Sequence, residues 1–177
     1  DCNGENVKLS FNFETTTAPI RIDIATAAQA DLAKIGVEFT PIHTPAGTFF
    51  GQYVDGGPLT TGNYDMGGYT TGFYPDPYYD GYKCENIPTA GNPSGTNWYH
   101  LCDPALSDLI ESSLATVDPA ARKAIYDEAQ AYIAENYYVI MMYSRANVIG
   151  STPRFQFGES GGYSHIFWQS ETWDITE

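Results

Sequence analysis

The sequence predicts an α/β fold, a mixed sheet flanked by helices and opening with a βαβ unit, on three observations. Near the start, an alternating apolar stretch, an amphipathic helical stretch and a second apolar stretch follow one another. Further on, two Asp-Pro pairs each introduce a helical pattern. Between these regions runs a long tract of Gly, Pro, Tyr, Asn and Asp, and short apolar runs of strand length follow the second helix.

Each element has a local reason. Lys8-Leu9-Ser10-Phe11-Asn12-Phe13 alternates, which puts Leu9, Phe11 and Phe13 on one face of a first strand. Residues 15–19 turn into a helix, with Thr17 as the expected cap and Pro19 in the first turn, where its missing N–H costs nothing. Ile24, Ala28, Leu32 and Ile35 form one helical stripe, and Gly36 is placed to end it as the C′ residue. Residues 37–42 read as the second strand. Strand, helix, strand in this order predicts parallel pairing through a right-handed crossover. A short helix is expected over 46–53 and a third strand over 64–71. Asp103-Pro104 and Asp118-Pro119 are N-cap and N1 pairs. Leu106, Leu109, Ile110 and Leu114 give the first of these helices its inner face. Ala121, Ile125, Ala129, Tyr132 or Ile133, and Asn136 do so for the second. Residues 138–143 and 146–150 read as strands, the first of them buried. The tail from Pro153 reads as loop carrying aromatic plugs, among them Phe155, Phe157, Phe167, Trp168 and Trp173.

Composition narrows the function. The chain has 177 residues, 8 Lys+Arg against 22 Asp+Glu and a formal charge of −14. So few cations cannot neutralise a phosphate backbone or an anionic membrane surface, so no nucleic-acid partner is expected. Charged residues make up 17% and aromatics 15%, including 14 tyrosines, the reverse of a disordered composition. The length suits one domain, residues 1–177. No apolar run approaches the roughly 20 residues of a membrane helix. The opening Asp1-Cys2-Asn3-Gly4 carries no basic or apolar leader and reads as the middle of a longer protein.

Cys84 and Cys102 bracket a Pro/Gly/Asn-rich loop, a spacing suited to a disulfide in an oxidising compartment, with two separate thiols as the alternative. Cys2 is the odd cysteine. No Cys/His spacing supports a metal site, His43, His100 and His165 are far apart, and no cofactor is expected. Asp76-x-Tyr78-x-Asp80-Gly81 imitates the start of a calcium loop, but Ile87 stands where the bidentate Glu is required. Gly158-Glu159-Ser160-Gly161-Gly162 resembles the G-D-S-G-G motif of trypsin-like proteases. That chemistry needs a histidine base and a buried aspartate behind Ser160, and no histidine here has that family's surroundings. The bland reading is a glycine-rich loop. Arg145, between two apolar stretches, reads as one half of an ion pair.

A resemblance rests on four blocks in order. Gln29-Ala30-Asp31-Leu32-Ala33-Lys34-Ile35-Gly36-Val37 is one. Tyr64-Asp65-Met66 is the second and Tyr74-Pro75-Asp76-Pro77 the third. The fourth begins Asp118-Pro119-Ala120-Ala121-Arg122-Lys123-Ala124-Ile125-Tyr126-Asp127-Glu128-Ala129-Gln130 and runs to Arg145-Ala146-Asn147-Val148. Together they resemble the C-terminal lobe of family 5 extracellular solute-binding proteins, the peptide-, nickel- and oligosaccharide-binding components of ABC importers. The resemblance implies one lobe of a type II periplasmic-binding-protein-like fold, a non-enzymatic fragment of a longer two-lobed protein. Its partners would be the N-terminal lobe, an ABC permease and a small-molecule, peptide or sugar ligand, in an extracytoplasmic setting such as the periplasm or a cell-surface lipoprotein. Ligands of open α/β sheets sit beyond the carboxyl ends of the strands. Residues 68–79 are therefore the expected ligand loop, with Tyr69, Thr71, Phe73 and Tyr74 lining the cleft, while Asp76 reads as a turn-former. The bland alternative is that these rings only pack the loop onto the domain. In the family's peptide binders an aspartate just before the Y-P-D-P turn meets the ligand's free amine. Here Phe73 occupies that slot, which favours a neutral or sugar-like ligand. The competing function class is a secreted carbohydrate-active or other hydrolytic domain, which would need a close carboxylate pair or triad within this chain. A stand-alone adhesion module is the third.

Overall fold

The computed structural model describes residues 7–71, 80–144, 150–156 and 170–176. The chain divides into two compact units. One is formed by Asp1–Thr71 with Tyr78–Tyr138, the other by Gly72–Pro77 with Val139–Glu177.

The first unit begins with the expected βαβ: β1 (Ser10–Thr16), α1 (Pro19–Lys34) and β2 (Glu38–Thr44). β1 pairs in parallel with β2 on one side and with β3 (Met66–Gly68) on the other, giving the order β2-β1-β3. Phe11 and Phe13 lean on Phe39 of β2 at ring-centroid distances of 5.4 and 5.2 Å. α1 packs on β2, with Ala25 fully buried and Gln29 Nε2 donating to the Phe39 carbonyl at 2.9 Å. Gly36 is the C′ residue at φ +82°. The Gly36 N–H donates to Ala33 O and the Val37 N–H to Leu32 O, each at 3.1 Å, which completes a Schellman motif. β3 reaches β1 because Gly68 has no side chain: a Cβ there would lie 2.3 Å from the Phe13 ring.

α2 (Ala46–Phe49) and α3 (Pro58–Thr61) are single turns that bury Phe49 and Leu59 completely. α4 (Pro104–Ala115) and α5 (Pro119–Glu135) pack together, burying Leu106, Ile110 and Ser113 of one and Tyr126, Ala129 and Ile133 of the other. Burying a Leu or Ile of this kind is worth about 1.5–3 kcal/mol. Asp103 and Asp118 cap these helices: Asp103 Oδ1 accepts from Ala105 N at 2.9 Å, and Asp118 Oδ1 from Ala121 N at 2.8 Å. The second unit contains the antiparallel pair β4 (Phe155–Gln156) and β5 (Asp174–Ile175).

Several expectations are corrected. The N-cap of α1 is Ala18, with no side-chain cap, because the helix starts one residue beyond the reach of Thr17. Leu9 precedes the ladder and Ile35 is the C-cap, so both are largely exposed. On α4 the inner face turns toward Ser113 and leaves Leu114 exposed. Ala121 and Asn136 are exposed too, Asn136 being the C-cap of α5. The expected helix over 46–53 breaks after Phe49, and the third strand shrinks to three residues. Residues 138–144 form no strand, and Ile140, Met141, Met142 and Tyr143 are exposed: no ladder among the described residues takes them up. Cys2, Asp76, residues 145–149, Phe157, the 158–162 glycine loop, His165, Phe167 and Trp168 lie outside the described residues.

Candidate aromatic binding wall

Because β1, β2 and β3 are parallel, their carboxyl ends share one edge of the sheet, marked by Thr16, Thr44 and Gly68. Close to this edge, Glu14 is buried and accepts a hydrogen bond from the Thr44 hydroxyl. The chain leaves β3 there and places Tyr69 among rings from two other segments. Its centroid lies 6.3 Å from Phe50, 6.1 Å from Trp98 and 6.1 Å from Tyr99. Phe50 and Trp98 are 6.1 Å apart, and Tyr99 stacks on Tyr82 at 4.5 Å with planes 9° apart. Phe50 is the exposed corner of this group. Burial pushes the Tyr69 phenol well above the usual tyrosine range, and the charge of Tyr99 and a hydrogen bond with it add to the rise. Burial, followed by Tyr99, also pushes Tyr64 up to about 12. These phenols stay neutral at any physiological pH.

The exit from β3 is fastened. The Gly68 carbonyl accepts from the Thr15 hydroxyl at 2.7 Å and from Arg21 Nη1 at 2.8 Å, and Arg21 Nη2 donates to Thr70 Oγ1 at 2.9 Å.

The rings at 82, 98 and 99 belong to a loop held by side chains rather than by regular structure. Cys84 and Cys102 form a disulfide with Cα atoms 4.4 Å apart. Asn97, wholly buried, donates from Nδ2 to the Lys83 carbonyl at 2.9 Å and to the Leu101 carbonyl at 2.7 Å. Lys83 is itself buried, with its ammonium paired to Glu111 and Glu85. These partners, Glu111 foremost, raise its pKa above the ordinary lysine value. The loop is tied to the rest of the unit by Tyr64 Oη donating to the Trp98 carbonyl and by His100 Nε2 donating to the Leu59 carbonyl at 3.0 Å. Where the loop meets α4, Asp103 Oδ2 accepts from Tyr138 Oη at 2.6 Å and Tyr132 Oη at 3.0 Å.

Of the four residues expected to line a cleft, Tyr69 is in the wall and half-buried, and Thr71 is exposed beside it. Phe73 and Tyr74 lie outside the described residues. The sequence reading missed Phe50, Tyr82, Trp98, Tyr99 and Arg21. The density of aromatics around the cysteine-bracketed loop was the available signal, but their spacing follows no period that would assign them to one surface. Among the described residues, no group of three or more His, Cys, Asp or Glu is gathered as metal ligands would be.

Comparison with known proteins places this architecture. No protein-family model matches the chain. The di/tripeptide-binding protein 4 of Pseudomonas aeruginosa (strain UCBPP-PA14) is 28% identical over 140 residues, which cover 76% of this chain and 25% of that protein. The oligopeptide-binding protein AppA of Bacillus subtilis, solved with a nonapeptide, matches all of this chain and 35% of its own, with a TM-score of 0.72 and 20% identity. NikZ of Campylobacter jejuni, solved with Ni(L-His), matches 94% of this chain and 33% of its own, with a TM-score of 0.64 and 19% identity. The fold is thus the one these solute-binding proteins contain, and the resemblance drawn from the sequence is met again by both comparisons. The chain spans about a quarter of the curated relative and about a third of each of these two structures. These similar proteins are binding proteins rather than enzymes, and nothing among them supports the hydrolytic alternative.

Proposed function

We propose that residues 1–177 supply one ligand-binding lobe of an extracytoplasmic solute-binding protein that serves an ABC importer. The rest of the cleft would come from another part of a longer protein, and closure of the two walls over the ligand would be what the permease reads. The observation that carries this reading is the fold match over the whole chain to a peptide-binding protein. An aromatic wall at the carboxyl edge of the parallel sheet, where such folds bind ligands, supports it. The Cys84–Cys102 disulfide fits an oxidising compartment, and no helix among the described residues is long and apolar enough to cross a membrane. Tyr69, Thr71, Phe73 and Tyr74 would face the ligand from this lobe. With Phe73 in the slot before Tyr74-Pro75-Asp76-Pro77, the ligand's near end is uncharged, as in a blocked peptide or an oligosaccharide. A free ammonium would lose its hydration without gaining a carboxylate.

The test is saturation-transfer NMR on the 177-residue chain at millimolar ligand. The probes are Ala-Phe-Ala, its N-acetylated form and maltotriose. The expected result is weak binding in which N-acetyl-Ala-Phe-Ala or maltotriose exceeds the free-amine tripeptide, and Tyr69→Ala reduces it. Preference for the free amine would overturn the neutral-ligand reading. Transfer unaffected by Tyr69→Ala would remove the wall from the site.

A further inference from the structure

Arg21 is one of few cations in an acidic chain, and its guanidinium is turned onto the start of a loop. From the first turn of α1 it reaches the last residue of β3 and the second residue beyond it, at Gly68 O and Thr70 Oγ1. Thr15, 1% exposed, donates to the same Gly68 carbonyl. Two elements therefore converge on the end of β3, and one planar group spans residues 68 and 70. Tyr69 lies between the two held points, and its ring enters the Phe50, Trp98 and Tyr99 cluster. Only arginine presents donors in a fixed fork that can hold two acceptors at once, whereas lysine offers a point charge.

We propose that Arg21 is the positioning residue of the ligand wall: it fixes where Tyr69 and Thr71 leave the sheet and does not itself contact the ligand. This rests on the reading of that wall as ligand-facing. Tyr82, Tyr99 and Tyr64 are the titratable groups that face Tyr69 within the cluster. A Tyr69 ring kept in place stays buried among them, and a ring let go returns to solvent.

The test follows the ζ-carbon of Tyr69 by NMR through an alkaline titration of the 177-residue chain, with the signal assigned through Tyr69→Phe. Affinity for N-acetyl-Ala-Phe-Ala is measured alongside. Arg21→Gln and Arg21→Lys are both expected to bring Tyr69 ionisation down toward the ordinary tyrosine value near 10. Both should weaken the probe about tenfold, the effect of losing a charge-assisted bond. Thr70→Ala removes one arm and should give a smaller change in the same direction. Arg21→Gln with Thr70→Ala should go no further than Arg21→Gln alone, since the two share one interaction. Unchanged Tyr69 ionisation in Arg21→Gln overturns the proposal, and so does probe binding equal to wild type. If Arg21→Gln fails to fold, Thr70→Ala carries the same test. If wild type binds no probe while Tyr69 ionisation still shifts, the ligand reading fails and the positioning role stands.

Discussion

The βαβ region, residues 10–44, and the loop over 80–102 achieve order by opposite means. In the first, backbone ladders on both sides of β1 do the work, with a helix that buries Ala25 and half-buries Ile24, Ala28 and Leu32. In the second there is little beyond short 3-10 turns, and order comes from the disulfide, a buried Asn97, a buried Lys83 and stacked tyrosines. The candidate wall is shared between them, with Tyr69 from the edge of the sheet and Trp98 and Tyr99 from the loop. A regular scaffold thus positions one half of the wall while a side-chain clasp positions the other. The two halves should fail separately.

The largest separation is expected from the disulfide. Cysteines 18 residues apart close a loop whose cross-link is worth about 3 kcal/mol in the chain-entropy model. Cys84→Ser with Cys102→Ser should lower stability in urea by about that amount. The near-ultraviolet circular dichroism of the Tyr82–Tyr99 stack and Trp98 should weaken well before the main transition. Amide protection in β1, β2 and α1 should persist until that transition. Protection lost together in sheet and loop would show that the two regions form one cooperative unit and break the comparison.

A smaller effect is expected where the loop joins α4. The Tyr138 hydroxyl first, then that of Tyr132 and the N–H groups of Leu106 and Ala105, holds the Asp103 carboxyl below its usual range. A depressed carboxyl contributes stability that is present above its unfolded pKa, near 4, and is lost as pH falls through the lowered value. The reciprocal bond pushes Tyr138 up to about 12, so its contribution is present below the ordinary tyrosine value and fades as pH rises beyond it. Asp103→Asn, which keeps a competent N-cap, should therefore lower the melting temperature at pH 7. Its loss below about pH 4 should be shallower than that of wild type. Parallel acid limbs in the two proteins would remove Asp103 from the junction.

The same division explains what was legible in the sequence. Asp103-Pro104, Asp118-Pro119 and Gly36 act within a few residues, so their roles follow from local rules and appear where expected. Tyr69 was legible as a candidate for the wall because the end of a parallel strand is a place defined by topology. Its neighbours were not, because Phe50, Tyr82, Trp98 and Tyr99 meet only after the loop has closed. Arg21 was hidden for a related reason: a fork reaching 47 and 49 residues along the chain leaves no local trace. Residues 138–143 show the converse error. Four consecutive apolar residues, Ile140 to Tyr143, look the same in a buried strand and in an exposed segment, since period alone does not say what will cover them.

The smallest prediction compares the ends of the two long helices. Both close with the same pair of hydrogen bonds. In α1, Gly36 and Val37 donate to Ala33 and Leu32; in α5, Tyr137 and Tyr138 donate to Ala134 and Ile133. The residue at C′ is left-handed in each, Gly36 at φ +82° and Tyr137 at φ +54°. Glycine takes that conformation freely, whereas a residue with a Cβ is strained there by about 1 kcal/mol or more. Tyr137 is 85% exposed, so its ring has little packing to lose. Tyr137→Gly should therefore stabilise the chain in urea, by somewhat less than 1 kcal/mol once the glycine's extra unfolded-state freedom is deducted. Gly36→Ala should destabilise it by about 1 kcal/mol. A Tyr137→Gly variant less stable than wild type would mean that the tyrosine ring, and not the strain of the turn it sits in, decides stability at the end of α5.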